Sequence, residues 1–213
     1  MISYVFKIFS LTKEYCPNNY TTSKDFFKLI SFEIFYLLNN YKQSSITIIN
    51  HQKFTDNIPT LYYFLHNILN FLKKNNIKSL ADLGCGGGRS IYFFNKKLKI
   101  NYYGIEYQKD IYEGCKKLFS SLSNVKIYND NIMSYDFLNY NADCFFINDP
   151  LKHKEDFDNL IINTINANNK KIIYFILINV DETKREIFNK YKLIESYKYK
   201  TKGYYIYSNE KIL

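Results

Sequence analysis

Apolar positions along the chain follow two regimes that meet near residue 77. Before that point they recur at helical spacing. From Ser23 to Asn39 the positions Phe26, Phe27, Leu29, Ile30, Phe32, Ile34, Phe35, Leu37 and Leu38 predict a helix that Ser23 can cap. Pro59-Thr60 opens a second helix, Leu61 to Lys74, apolar at Leu61, Phe64, Leu65, Ile68, Leu69 and Leu72. Ser45 to Ile49 is a short β-prone run between them. Residues 1–20 show neither period, and their Tyr and Phe content admits an extended segment.

After residue 77, β-like and α-like segments alternate. Strands are predicted at Ser79–Leu83, Ile100–Ile105, Asn124–Tyr128, Ala142–Ile147 and Lys171–Asn179, and helices at Gly88–Lys97, Asp110–Leu122, Lys154–Ala167 and Asp181–Lys190. Lys171–Asn179 is the most apolar run, as a central strand covered on both faces requires. Leu193–Lys198 and Gly203–Ser208 follow with no helix between them, so they should form an antiparallel hairpin at one edge, turning near Lys202-Gly203. The expected fold is α/β: a Rossmann-like seven-stranded sheet, mostly parallel, with helices on both faces and a small N-terminal helical extension. Residues 1–57 form that extension, a candidate lid, and residues 58–213 the main domain.

Composition narrows the classes. With 213 residues, 46% of them hydrophobic and 23% charged, global disorder is excluded. No run of about 18 uncharged apolar residues exists to cross a membrane. Cys16, Cys85, Cys115 and Cys144 contain no CxxC pair, and Met1 to Leu11 lacks a basic n-region. A reduced, cytoplasmic setting is the expectation. The net charge of +9 raises the prior for nucleic acid, yet Arg89 and Arg185 are the only arginines and the rest is Lys. Abundant Asn, Ile, Lys and Tyr with scarce Gly, Ala and Pro is what an AT-rich genome writes into any protein.

Candidate chemistry concentrates in Leu80-Ala81-Asp82-Leu83-Gly84-Cys85-Gly86-Gly87-Gly88-Arg89. Four of the seven glycines fall within positions 84–88, where a buried strand must turn into a helix. In an open α/β sheet that turn lies at the carboxyl edge, where ligands bind. A G-x-G-x-x-G dinucleotide site needs Gly where Arg89 stands, and Arg89-Ser90 at the wrong spacing does not supply a P-loop. Asp82-Leu83-Gly84-Cys85-Gly86-Gly87-Gly88 resembles motif I of the class I S-adenosylmethionine-dependent methyltransferases, whose seven-stranded fold the order of elements also resembles from about residue 58.

That resemblance implies S-adenosylmethionine as cofactor, with no metal. Asp82 and the turn Gly84, Cys85, Gly86 and Gly88 would hold its amino-acid end. Glu106, at the end of the second strand and about 20 residues beyond the glycines, would accept the ribose hydroxyls. Asp130, with Asn131 and Ile132 after the third strand, would take the adenine. After the fourth strand come Asn148, a further candidate cofactor contact, and Asp149, the candidate catalytic group, where the family places its substrate-facing residue. Plainer readings stand beside these: a solvated strand end for Glu106, an Asx turn for Asp130, a helix cap for Asp149 and simple packing for Cys85. Asp149-Pro150-Leu151-Lys152 lacks the second proline and the aromatic of the [DN]-P-P-[YFW] that adenine methylases share. It is similar instead to the N-P-F of poorly characterised bacterial members, which also resemble this chain in Pro59-Thr60.

His153, just beyond, could deprotonate an acceptor hydroxyl, although a surface or capping role suits it better. His51 and His66 have no partner at local spacing. The expected function is methyl transfer to an N or O acceptor on a small molecule, sugar or protein side chain. The alternatives are an RNA or DNA methyltransferase, which the charge and 22 tyrosines favour, and a non-catalytic binding protein of the same fold.

Overall fold

The computed structural model describes residues 23–39, 52, 54–55, 59–133, 142–199 and 202–212, with backbone alone for 23–26, 199 and 202. The run 45–49, the segment 1–20, Cys16, His51 and the tip of the terminal hairpin lie outside the described residues. Among the described residues two helices, α1 (Ser23–Leu38) and α2 (Tyr62–Lys74), precede the sheet. Then come β1 (Ser79–Leu83), α3 (Arg89–Lys97), β2 (Asn101–Glu106), α4 (Lys109–Phe119), β3 (Val125–Asn129), β4 (Cys144–Ile147), α5 (Lys154–Ala167) and β5 (Tyr174–Ile178). A short α6 (Glu182–Arg185) runs into a 3-10 turn, Glu186–Lys190, before β6 (Tyr191–Tyr199) and β7 (Lys202–Lys211).

The strand order is β3-β2-β1-β4-β5-β7-β6. The first five strands are mutually parallel, and β7 runs antiparallel between β5 and β6. The expected hairpin is present, with β6 as the edge strand. Differences from the sequence reading lie at element ends. The segment expected as one helix over 181–190 divides after Arg185, and the fifth strand begins at Tyr174 rather than Lys171.

Alternation along each strand builds two cores. Cys144 and Phe146 of β4 face a layer made with Tyr62, Leu65, Phe93 and Phe94 from α2 and α3. Phe145 and Ile147 face the opposite layer, with Phe157, Leu160 and Ile161 of α5. Leu29 and Tyr36 of α1 belong to the first core, so this helix of the N-terminal extension packs into the same hydrophobic layer as the sheet. The order of the strands reverses between β1 and β4, which opens a crevice at their carboxyl ends.

Candidate active site

The turn from β1 into α3 is held by its neighbours. The Gly84 and Cys85 N–H groups both donate to the Ile105 carbonyl of β2, at 3.0 and 2.9 Å. Gly84, Gly86 and Gly88 all have positive φ, at 88°, 51° and 77°. At Gly84 a side chain would meet a second obstacle: a Cβ would lie 2.9 Å from Pro150 Cβ. The loop after β4 therefore rests directly on the glycine turn, and only glycine allows it.

Two carboxyl groups flank the turn, each at the end of its strand. Asp82 is 2% exposed and accepts a hydrogen bond from the Ser90 hydroxyl. Burial raises its pKa to about 7, against the lowering effect of Ser90 and with a further rise from Glu106. Glu106 Oε2 accepts from the Gly86 N–H at 2.9 Å and Oε1 from the Gln108 N–H at 2.8 Å. Burial raises its pKa too, with the backbone donors of Gln108, Gly86 and Tyr107 opposing. A small, partly open cleft lies over the turn, lined by Pro59, Thr60, Asp82, Gly84, Cys85, Gly87, Arg89, Ser90, Phe146 and Asn148.

Asp149 sits beyond this cleft in a left-handed conformation, φ 40°. Its Oδ1 accepts from Lys184 Nζ at 2.7 Å, and the same ammonium donates to the Leu151 carbonyl at 2.6 Å. Lys184 is 4% exposed. It stands two turns of chain beyond β5, where Asp181 caps α6 by accepting from the Lys184 N–H at 2.9 Å. The backbone of the loop is gripped from the other side. Thr55 Oγ1 donates to the Asp149 carbonyl at 2.5 Å, the Thr55 N–H to the Pro150 carbonyl at 3.1 Å, and Phe54 pairs with Leu151 as an antiparallel bridge. The Phe54 ring meets that of Tyr107, next to Glu106, at 4.8 Å between centroids.

The other expected positions are distributed around this centre. Asn148 lines the cleft, and its Oδ1 accepts from Asn179 Nδ2 at 3.4 Å. Asp130 is exposed, and its Oδ1 accepts from the N–H of the next residue, Asn131; Asn131 Oδ1 accepts from the Met133 N–H, which makes an Asx turn. The Asp130 N–H donates to the Glu106 carbonyl at 3.2 Å, which ties the β3 loop to the β2 end. Ile132 is buried in the second core. Cys85 is buried, and its contact with Cys115 together with burial pushes its thiol up, so it packs as a neutral group. His153 occupies the cap position of α5 without capping it; its ring Nε2 lies 3.1 Å from the Gln52 carbonyl on the surface. His66 is a structural partner of Tyr36, whose hydroxyl lies 2.9 Å from Nδ1.

Residues 80–167 match the family described as a methyltransferase domain, a span that begins one residue into β1 and ends with α5. The chain thus carries a methyltransferase domain over these residues. Solved structures with the same fold include a methyltransferase described as putative, yhhF of Escherichia coli, at 17% identity and TM-score 0.55 over 73% of this chain and 88% of that one. The Podospora anserina methyltransferase PaMTH1, solved with S-adenosylhomocysteine, aligns at 9% identity and TM-score 0.54 over 70% and 79% of the two chains. The magnesium protoporphyrin IX methyltransferase ChlM of Synechocystis PCC 6803, solved with S-adenosylmethionine, aligns at 11% and 0.52 over 68% and 76%. No curated protein matches the sequence.

The residues of this methyltransferase fit its cofactor. The positive-φ turn leaves the backbone bare, and each Glu106 oxygen keeps a second lone pair for a hydroxyl. Among the described residues no helix is long and apolar enough to cross a membrane, and no cluster could hold a metal ion. Sequence reading missed Lys184, which lies 35 positions from Asp149 in a run of charged residues that carries no local signal. It also missed Glu33, although a signal existed: Glu33 shares the helical stripe of Leu29, Tyr36 and Leu37, all of them buried.

Proposed function

We propose that this methyltransferase acts on an N–H or O–H of a small molecule, sugar or protein side chain, within the cytoplasm. Asp82, Gly84, Cys85, Gly86 and Gly88 hold the amino-acid end of S-adenosylmethionine, Glu106 the ribose, and Asp130, Asn131 and Ile132 the adenine, with Asn148 a further contact to the cofactor. The observation that carries this reading is the pair of buried carboxyl groups, Asp82 and Glu106, at adjacent strand ends around a left-handed glycine turn. The three free cysteines among the described residues agree with a reducing compartment. Residues 58–213 carry the chemistry and residues 1–57 cover its entrance, as the Phe54–Leu151 bridge over the β4 loop suggests.

When bound, the cofactor supplies an electrophilic methyl group on a good leaving group, so the protein's task is orientation and exclusion of water. Asp149 orients the acceptor. Its carboxylate is pinned by Lys184, which suits a hydrogen-bond acceptor of fixed direction better than a base that must change protonation. The Gly84–Pro150 contact sets the distance between the donor turn and that carboxylate.

Purified protein incubated with methyl-labelled S-adenosylmethionine and fractionated small-molecule, protein and RNA pools should place label in one of the first two. Label confined to RNA would overturn the acceptor class.

A further inference from the structure

We infer that the edge of the sheet opposite the candidate active site, where three successive helices each end in a pair of lysines, binds the phosphate backbone of a single-stranded nucleic acid that is not the methyl acceptor.

The placement follows from the topology. In a parallel sheet the connecting helices run back against the strands, so helix ends and strand starts share one edge. The last turn of α2 holds Lys73 and Lys74, that of α3 Lys96 and Lys97, and that of α4 Lys116 and Lys117. All six are exposed. The strands these helices lead into, β1, β2 and β3, are parallel neighbours, which lays the three pairs along the same edge. Hydrogen bonds tie the intervening loops together. The Asn101 N–H donates to the Lys78 carbonyl at 3.0 Å, and Asn124 Nδ2 donates to Asn95 Oδ1 at 2.9 Å and to the Ile100 carbonyl at 2.7 Å.

Helix dipoles do not account for the whole cluster. A cation in a last turn gains about 0.3–1 kcal/mol from the helix carbonyls. Lys78, Lys99 and Lys170 are exposed at this edge too, but they lie in loops beyond the helices, and the last turn of α5 before Lys170 holds no basic residue. Asp143, a carboxylate of the same edge, is turned to the backbone, where its Oδ2 accepts from the Lys78 and Ser79 N–H groups at 2.9 and 3.0 Å. On α4, Glu113 offsets part of the charge of Lys116. At the other ends of the strands the sign reverses, with Asp82, Glu106, Asp130 and Asp149 around the crevice. The five residues of β1 put roughly 16 Å between the two edges. A polyanion is therefore drawn to the lysine edge and away from the crevice.

The rings beside the lysines favour a single strand. Lys96 Nζ and Lys116 Nζ lie 4.7 and 5.3 Å from the ring centres of Tyr92 and Tyr112, both half-buried. A cation next to a partly open ring suits a phosphate followed by a stacked base. A lipid surface asks instead for apolar side chains that enter the acyl boundary. The two arginines are engaged elsewhere, Arg89 with Glu33 and Arg185 over Tyr205. With no planar fork to read base edges, binding is independent of sequence and sensitive to salt.

The test is fluorescence anisotropy with a labelled, mixed-sequence, single-stranded RNA of about 20 nucleotides, in KCl from about 50 to 300 mM. For wild-type protein the logarithm of affinity should fall against that of salt with a slope of about −3. The triple variant Lys78→Gln, Lys99→Gln, Lys117→Gln should lose about tenfold or more at about 100 mM KCl and flatten that slope by about 2. The triple variant Lys109→Gln, Lys152→Gln, Lys198→Gln removes the same formal charge from the opposite edge and should stay within about threefold. Both should keep wild-type calorimetric affinity for S-adenosylhomocysteine, and saturating RNA should leave that affinity unchanged. Absence of RNA binding at the lowest salt, equal loss in the two triple variants, or displacement of S-adenosylhomocysteine by RNA would each overturn the inference. Vesicles containing phosphatidylglycerol that bind through Lys78, Lys99 and Lys117 while RNA does not would make the edge a membrane contact instead. Wild-type protein that binds RNA in this way but not S-adenosylhomocysteine would remove the donor-site reading and keep this one.

Discussion

Asp82 is the residue where burial and function pull in opposite directions. Its carboxyl is raised to about 7 because the strand end is dry, so near neutrality it is divided between two forms. The ionised form is the one an ammonium group needs. Affinity for S-adenosylhomocysteine should therefore rise with pH and level off above 7, by about tenfold between pH 6 and pH 8. Asp82→Asn should flatten that dependence while lowering affinity throughout. Stability moves the other way. A carboxyl raised in the folded state stabilises fully below its ordinary pKa, and that contribution is lost as pH climbs toward 7. Thermal melts of the unliganded protein should decline between pH 5 and pH 7, less so in Asp82→Asn. Glu106 is a separate case, since its oxygens already accept from Gly86 and Gln108. Glu106→Ala should weaken S-adenosylhomocysteine binding by at least about tenfold, and unaltered calorimetric affinity would remove it from the ribose site.

At the scale of elements, the loop after β4 is held by three separate pieces of chain: the turn at Gly84, the short α6 through Lys184, and the strap around Phe54 and Thr55. Asp149 has a left-handed φ of 40°, which costs about 1–3 kcal/mol in a residue with a side chain. Lys184 is the contact that offsets it. Lys184→Met removes the cation and leaves Asp149, whose side chain is 25% exposed, partly open to water. The expected cost is therefore below the 3–5 kcal/mol of a fully buried pair, on the order of 2 kcal/mol. In a chain of this size that lowers the melting temperature by roughly 4–8 °C. Once an acceptor is in hand, the turnover rate should fall while S-adenosylhomocysteine affinity holds. Equal loss of both would mean the whole cleft had shifted. What could be read from sequence follows the same division. Asp82, the glycines and Glu106 were legible because one strand-turn-helix unit and the next strand fix them by local spacing. The succession of strands and helices and the terminal hairpin were legible from alternation of period. Lys184, Glu33 and the Phe54 strap were not, because their partners are brought to them only by tertiary packing across 35, 56 and 97 positions. Spacing along a chain says nothing about such contacts. The break of the 181–190 helix after Arg185 was equally hidden, since that segment satisfies helical periodicity on either geometry.

For the molecule as a whole, the open question is whether the N-terminal extension only covers the site or helps to build it. Its first described helix argues for building. Leu29 is 1% exposed and Tyr36 4%, both within the core that also holds Tyr62 and Phe93. Tyr36 meets Tyr62 and Phe93 ring to ring, at 4.9 and 5.2 Å between centroids. Glu33 pairs with Arg89 at the start of α3 and accepts the Tyr62 N–H at the start of α2, so one carboxylate joins three helices. Removing residues 1–57 strands the Arg89 charge and strips one side of those rings. Losing the partner of a buried charge costs about 3–5 kcal/mol, which alone corresponds to a drop of about 10 °C in melting temperature. A cover that merely closes over a finished site would come off with little change in stability. Differential scanning calorimetry of the chain from residue 58 onward separates the two: a melt at least about 8 °C below the full chain is expected. A melt within about 2 °C, with methylthioadenosine still bound, would show that α1 is an accessory to a domain complete without it.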